Sequence, residues 1–93
     1  MAVIQGIVDQ NGKTVRAGGA FKVVSKSDTS LHIDVTGLDV SKAFVFATPW
    51  ASNGDFPPGS ISAGPHPTKK TEMIFNIVNA IGFNFGVCFR IET

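Results

Sequence analysis

The chain has 93 residues, of which 43% are hydrophobic and only 16% charged, and its formal net charge is +1. This length allows one domain, residues 1–93, and its scattered Lys and Arg residues form no basic stripe for nucleic acid. Because globular domains average about 25% charged residues, we expect part of the apolar surface to contact other subunits.

Targeting signals and cysteine usage restrict the compartment. The N-terminal stretch MAVIQGIVDQNG lacks a basic region followed by a long apolar run, and no segment approaches the roughly 18 apolar residues of a membrane span. The single cysteine, Cys88, cannot form an internal disulfide and is interpreted as a small apolar packing residue. We expect a soluble protein that is made in the cytoplasm without a signal peptide and does not insert into membranes.

Alternation of apolar and polar residues begins at the N-terminus. VIQGIV and KTVRA flank DQNG, in which Asn11-Gly12 predicts a hairpin turn because both residues tolerate positive φ. In the next segment, AFKVVSK, strict alternation places Phe21 and Val23 on one face of a strand. It places Lys22 and Lys26 on the other.

The middle of the chain contains two further strand patterns. In LHIDVTG, the expected core-facing residues are Leu31, Ile33 and Val35, and the expected outward residues are His32, Asp34 and Thr36. KAFVFAT is apolar at nearly every position, which predicts a strand covered on both sides, either central in a sheet or at an interface.

The second half contains a proline-rich stretch and two more strand patterns. Pro49 to Lys70 holds all five prolines and is expected to be mostly loop, with a short edge strand at SISA. TEMIFNIVNA fits a strand or a helix turn, and its β-branched and aromatic residues favour a strand. In FNFGVCFRIET, large apolar residues at every second position predict one wall of the core: Phe83, Phe85, Val87, Phe89 and Ile91.

These patterns together predict an all-β fold. Short alternating segments separated by Gly, Asn, Asp and Ser turns are typical of a sandwich or a small barrel. We predict a small antiparallel β-sandwich, jelly-roll-like, of seven or eight strands.

The order of two long segments carries a resemblance. GIVDQNGKTVRAGGAFKVVSKSDTSLHIDVTGLDVSKAFVFATP is followed by a variable loop and then by FNIVNAIGFNFGVCFRI. This order resembles small C-terminal β-sandwich modules of phage tail fibres and bacterial collagen-like stalk proteins, which open with a Gly-turn-Gly ribbon and close on an aromatic-rich strand. The resemblance implies a homotrimer on a virion or cell-surface fibre that works by binding or capping.

Catalytic and metal-binding patterns are weak. His32 and Asp34 lie two apart on the polar face of one strand, which is half of a nucleophilic triad, but the chain has no Gly-x-Ser-x-Gly motif. Two histidines, one cysteine and scattered carboxylates match neither zinc spacing nor a calcium loop. The sequence therefore predicts no enzyme, no metal site and no cofactor.

One constellation in the proline-rich stretch indicates binding. Sugar sites combine an aromatic face with a few polar side chains, and long loops on a rigid sheet often carry such residues. The candidate ligand-binding residues are Trp50, Asn53, Asp55, His66 and Lys69. The alternative is that Trp50 and Phe56 cap the core or contact another subunit.

Three functional hypotheses follow. The first is a non-enzymatic oligomeric virion or fibre module that binds a host surface receptor, in particular a glycan. The second is a purely structural virion component, such as a trimerisation cap, a fibre tip or a capsid decoration protein, whose partners are other virion proteins. The third, a small enzyme or toxin, lacks an assembled set of acid, base and nucleophile.

Overall fold

The computed structural model describes residues 2–51, 59–79 and 84–93. Within these residues the chain forms eight strands and no helix. The strands are β1 (Val3–Val8), β2 (Thr14–Gly18), β3 (Lys22–Lys26), β4 (Ser30–Asp34), β5 (Phe44–Trp50), β6 (Gly59–Pro65), β7 (Glu72–Asn79) and β8 (Gly86–Glu92).

The strands form two four-stranded antiparallel sheets that pack against each other. Sheet A has the order β2-β1-β8-β5, and sheet B has the order β3-β4-β7-β6. The predicted all-β sandwich is confirmed, and the alternative of a small barrel is wrong because the strands divide into two separate sheets. Within TEMIFNIVNA, residues Glu72–Asn79 form β7, as the β-branched residues indicated.

The core lies between the sheets and follows the predicted alternation. Phe85, Val87, Phe89 and Ile91 are all buried, as are Leu31, Ile33 and Val35 of the facing sheet. The Phe89 ring lies 5.1 Å from that of Phe21 and 5.2 Å from that of Phe75, measured between ring centres. The last strand therefore supplies one wall of the core, as expected, although Phe83 lies outside the described residues.

Two glycines explain local features of β1 and its hairpin. β1 pairs with β2 and Gly12 has a φ of 82°, which confirms the predicted hairpin, although Gly12 alone of the Asn11-Gly12 pair has a positive φ. Gly6 faces the core, and a Cβ atom there would lie 2.6 Å from the Phe21 ring and 2.8 Å from the Phe89 ring. The absence of a side chain at Gly6 therefore lets the two phenylalanine rings meet edge to face.

A β-bulge on β3 corrects the predicted orientation of Lys26. Val23 pairs with Ile33, but the next registered pair is Ser25 with His32, so Val24 is an extra residue. Lys26 then pairs with Leu31, which faces the core. The predicted placement of Lys26 with Lys22 on the polar face is wrong because the bulge shifts the alternation by one residue.

The segment KAFVFAT is an edge strand of sheet A, not a central strand. The central position belongs to β8, which pairs with β1 on one side and β5 on the other. The stretch from Pro49 to Lys70 contains more strand than expected. β5 continues through Pro49 and Trp50, and β6 extends over seven residues instead of the four of SISA. The prediction that KAFVFAT is covered on both sides is wrong for the isolated chain, because the side chains of Phe44 and Phe46 face solvent.

Candidate functional site

The outer face of sheet A, the side turned away from the core, carries the most unusual surface of the described chain. Strand pairing arranges its side chains in rows that cross the sheet. The rows are Phe44–Glu92–Val3, Phe46–Arg90–Gln5–Gly18 and Thr48–Cys88–Ile7–Arg16.

Aromatic residues line the β5 side of this face. Phe44 is 73% exposed and Phe46 is 58% exposed. Strand alternation places half-buried Trp50 on the same side, four residues further along. Removing one phenylalanine side chain from water stabilises a complex by roughly 1.5–3 kcal/mol before binding costs, so this row is a strong potential contact.

An ion pair occupies the middle of the face. Arg90 Nε donates to Glu92 Oε2 at 2.7 Å, and both residues lie on β8 directly beside the β5 aromatics. Because the two charges neutralise each other, the middle of this face carries little net charge. Cys88 lies in the adjoining row, on the same strand, and is half-buried.

A hollow of about 400 Å³ lies on the opposite side of the same face, between β1 and β2. Its lining residues include Gln5, Ile7, Arg16, Gly18 and Cys88. Gly18 contributes to this space because it ends the Phe46–Arg90–Gln5 row without a side chain. The face thus combines projecting aromatic rings at one edge with a depression at the other.

The outer face of sheet B has a different character. β6 presents Ser60 and Ser62, and β4 presents His32 and Asp34. Ser25 lies directly opposite His32 in the strand pairing. Among the described residues no hydrogen bond joins the side chains of Ser25, His32 and Asp34, and the hollow lies on the other sheet, so this row does not form an assembled triad.

The structure separates the predicted ligand-binding residues. Trp50 pairs with Gly86 near the start of β6, whereas His66 and Lys69 follow the far end of β6. Seven strand residues span about 20 Å, so these side chains do not share one surface. Asn53 and Asp55 lie outside the described residues.

His66 and Lys69 have contacts within their own turn. His66 Nδ1 accepts hydrogen bonds from the backbone N–H groups of Thr68 and Lys69, both at 3.1 Å. Lys69 Nζ lies 3.5 Å from Glu72 Oε2. Both side chains therefore stabilise the connection between β6 and β7, and ligand binding by either one stays a prediction.

Lys26 joins three segments at the same end of the sandwich as Trp50. Its ammonium group donates to the backbone oxygens of Ser27 at 2.6 Å and Gln10 at 3.4 Å, and to Asn84 Oδ1 at 3.1 Å. Burial lowers the pKa of Lys26, while the nearby carboxylates of Asp28 and Asp9 act in the opposite direction. These bonds give Lys26 a structural role.

Sequence reasoning missed Phe44 and Phe46 as functional candidates. The consecutive apolar residues of KAFVFAT indicated burial on both sides of the strand. This pattern does not reveal which of the two sides faces the core and which would be covered by another chain. Val45 and Ala47 pack against the core, which leaves the two phenylalanines on the outer side.

Comparisons with known proteins give no match. No family model matches the chain, and no curated protein or solved structure is significantly similar to it. Within residues 2–51, 59–79 and 84–93, no helix is long and apolar enough to cross a membrane, and no group of three or more His, Cys, Asp or Glu side chains is placed to hold a metal ion.

Proposed function

We propose that this chain is a non-catalytic β-sandwich module that works by assembly with other protein subunits. The outer face of sheet A is the contact surface, and the assembly is a homo-oligomer within a virion or fibre. The module then has a purely structural role in the virion or fibre, with the outer face of sheet A as its contact surface.

The carrying observation is the exposure of Phe44 and Phe46 side by side on an edge strand. Large adjacent aromatics on a small domain favour contact with another molecule, because exposed apolar patches promote association. The low charge content of the chain supports the same conclusion, since few charges oppose burial of this surface.

Two observations favour assembly over catalysis. On the open outer face of sheet B, Ser25 lies opposite His32 in the strand pairing, and Asp34 lies two residues further along β4. Among the described residues, the side chains around the hollow on sheet A include one arginine and one cysteine, but no histidine or carboxylate that would serve as a general base.

The test is the molar mass of the purified chain, measured by light scattering and sedimentation across a hundredfold range of concentration. We expect an oligomer that dissociates in Phe44→Ser/Phe46→Ser and persists in Val78→Ser. Val78 is a matched control because it is 59% exposed on the other sheet. A monomer at every concentration, or equal behaviour of the two variants, would contradict the proposal.

Trp50 supports a second candidate, a receptor-binding module that recognises a surface glycan. Its indole is half-buried at the end of β5, next to the segment that contains Asn53 and Asp55. An aromatic ring of this kind stacks on the apolar face of a sugar. Glycan-array binding that is lost in Trp50→Ala while the molar mass stays unchanged would favour this candidate; absence of any glycan binding by the wild-type chain would reject it.

A further inference from the structure

Building on the proposed function, we propose that the partner of sheet A is a second copy of the same chain. The two sheets pack face to face about a two-fold axis. In this arrangement Phe46 of each copy enters the hollow between β1 and β2 of the other copy.

The order of the strands makes the face self-complementary. In β2-β1-β8-β5, the midline of the sheet lies between β1 and β8, so β5 and β2 are equally far from it. A two-fold axis along this midline, within the plane of the interface, exchanges the positions of β5 and β2. The projecting strand of one copy is thus placed over the hollow side of the other.

The register along the strands fits the same axis. Phe46, Arg90, Gln5 and Gly18 form one row across the sheet. An axis parallel to the strands keeps each row at its own height, and packed sheets stay aligned to within about 30°. Phe46 of one copy is therefore placed over Gly18 of the other and beside Gln5, where the side chain missing at Gly18 leaves space.

The charges of the face permit two copies to meet. Arg90 and Glu92 lie on β8 beside the midline and already neutralise each other at 2.7 Å. Among the described residues that line the hollow, Arg16 is the charged one; it lies on the edge strand β2 and is exposed. A second copy therefore brings little like charge to the centre of the interface.

The size of the face predicts a reversible dimer. Four strands at a spacing of about 4.8 Å, each about 20 Å long, present roughly 400 Å² in projection. Projecting side chains make the accessible area of each face larger than its projection. Two such faces still bury less than about 1,200 Å² in total, which is the low end of the range for specific interfaces. We expect dissociation constants in the micromolar range, which dilution can reach.

A pair of opposite charges introduced across the interface tests the geometry. Phe46→Lys should weaken dimerisation at least a hundredfold, because the two-fold axis makes the change twice. Gln5→Glu alone should change the dissociation constant by less than about tenfold, because the same axis places Gln5 over Arg90 of the other copy. The double variant should recover at least tenfold over Phe46→Lys, because each new lysine lies beside a new glutamate of the other copy. Val78→Lys on sheet B is the matched control and should leave the dissociation constant unchanged.

Cys88 supplies a second readout that needs no substitution. It is half-buried on the proposed interface, one row from Phe46, so dimerisation should slow its alkylation by iodoacetamide. We expect the rate to fall about tenfold when nine tenths of the chain is dimeric. In Phe46→Lys the rate should not depend on protein concentration.

These outcomes separate the two proposals. A chain that is monomeric throughout overturns both of them. A chain that self-associates while Cys88 reacts at a constant rate and Gln5→Glu fails to rescue Phe46→Lys keeps the proposed function and overturns the two-fold contact. A homotrimer, which the fibre resemblance implies, has the same consequence.

Discussion

The two edge strands β5 and β6 lie on the same side of the sandwich and are built alike on the inside. Each has seven residues and contains one proline. Val45 and Ala47 of β5 pack on the core, and Ile61 of β6 does the same. On the outside, β5 presents Phe44 and Phe46 at positions where β6 presents serine and glycine.

This difference separates what the fold requires from what the surface adds. Ser60 and Ser62 show that an edge strand of this sandwich accommodates small polar residues on its outer side. The two phenylalanines of β5 contribute little to the core, because their rings face away from it. We expect the two phenylalanines to contribute to contacts with another subunit, whereas the inner residues of the same sheet stabilise the fold.

The largest effect is expected for Phe89→Ala, which removes a ring from the inner side of sheet A. Phe89 is 3% exposed and packs against both Phe21 and Phe75. Loss of a buried phenylalanine costs about 3–5 kcal/mol, a large part of the stability of a small domain. Urea unfolding of dilute protein should show this loss.

Phe46→Ala is the control for Phe89→Ala, because the same ring is removed from the outer side of the same sheet. At monomeric concentrations it should change the free energy of unfolding by no more than about 0.5 kcal/mol. Similar losses in the two variants would show that the outer aromatics stabilise the fold itself.

The next effect is expected for Gly6→Ala. Its new methyl group would overlap the Phe21 and Phe89 rings, and overpacking of a core costs about 1–3 kcal/mol. Gly64→Ala on β6 is the matched control, because among the described residues beyond its two chain neighbours no atom lies within 4 Å of the position that its Cβ would occupy. Thermal unfolding should separate the two variants; equal melting temperatures would mean that the ring pair moves aside without cost.

A smaller effect on folding, but a clear one on association, is expected when β6 is made to resemble β5. Ser60→Phe/Ser62→Phe places two exposed aromatics on the outer face of sheet B. The free energy of unfolding should change by no more than about 1 kcal/mol, while light scattering should detect new self-association. If the double variant behaves as wild type, exposed phenylalanines alone do not cause association, and the specific shape of sheet A becomes the decisive factor.

The sequence predicts the inner side of this fold well. Leu31, Ile33 and Val35, and the last strand from Phe85 to Ile91, follow a period of two, and burial in a sandwich imposes that period directly. The hairpin at Asn11-Gly12 is equally local, since it depends on one glycine with positive φ.

The remaining features depend on pairing between distant segments. The position of β5 at an edge follows from β8 lying between β1 and β5, and these pairings join residues at least 36 apart in the chain. The separation of Trp50 from His66 follows from the direction of β6, and the sequence of the intervening segment does not reveal it. The bulge at Val24 is also not predictable from the sequence, because no glycine or other turn-forming residue marks its position.

The smallest predicted effect concerns Lys26, which this bulge moves from the outer face of sheet B to the inner side. Burial lowers its pKa below the ordinary value of 10.5. Between the lowered pKa and 10.5 the unfolded chain binds a proton that the folded chain does not, so the free energy of unfolding rises with pH in this window. Below this pH window Lys26 is charged in both the folded and the unfolded chain, so the folded state bears the full free-energy cost of burying the charge.

Urea titrations between pH 7.5 and about 10.5 should therefore show wild type gaining stability relative to Lys26→Met as the pH rises. The chain has no tyrosine, so no phenol titrates in this range. Lys22→Met is the matched control, since Lys22 lies on the same strand with its side chain in solvent. A difference between wild type and Lys26→Met that stays level with pH would mean that the bonds to Gln10, Ser27 and Asn84 fully compensate the burial of the ammonium group.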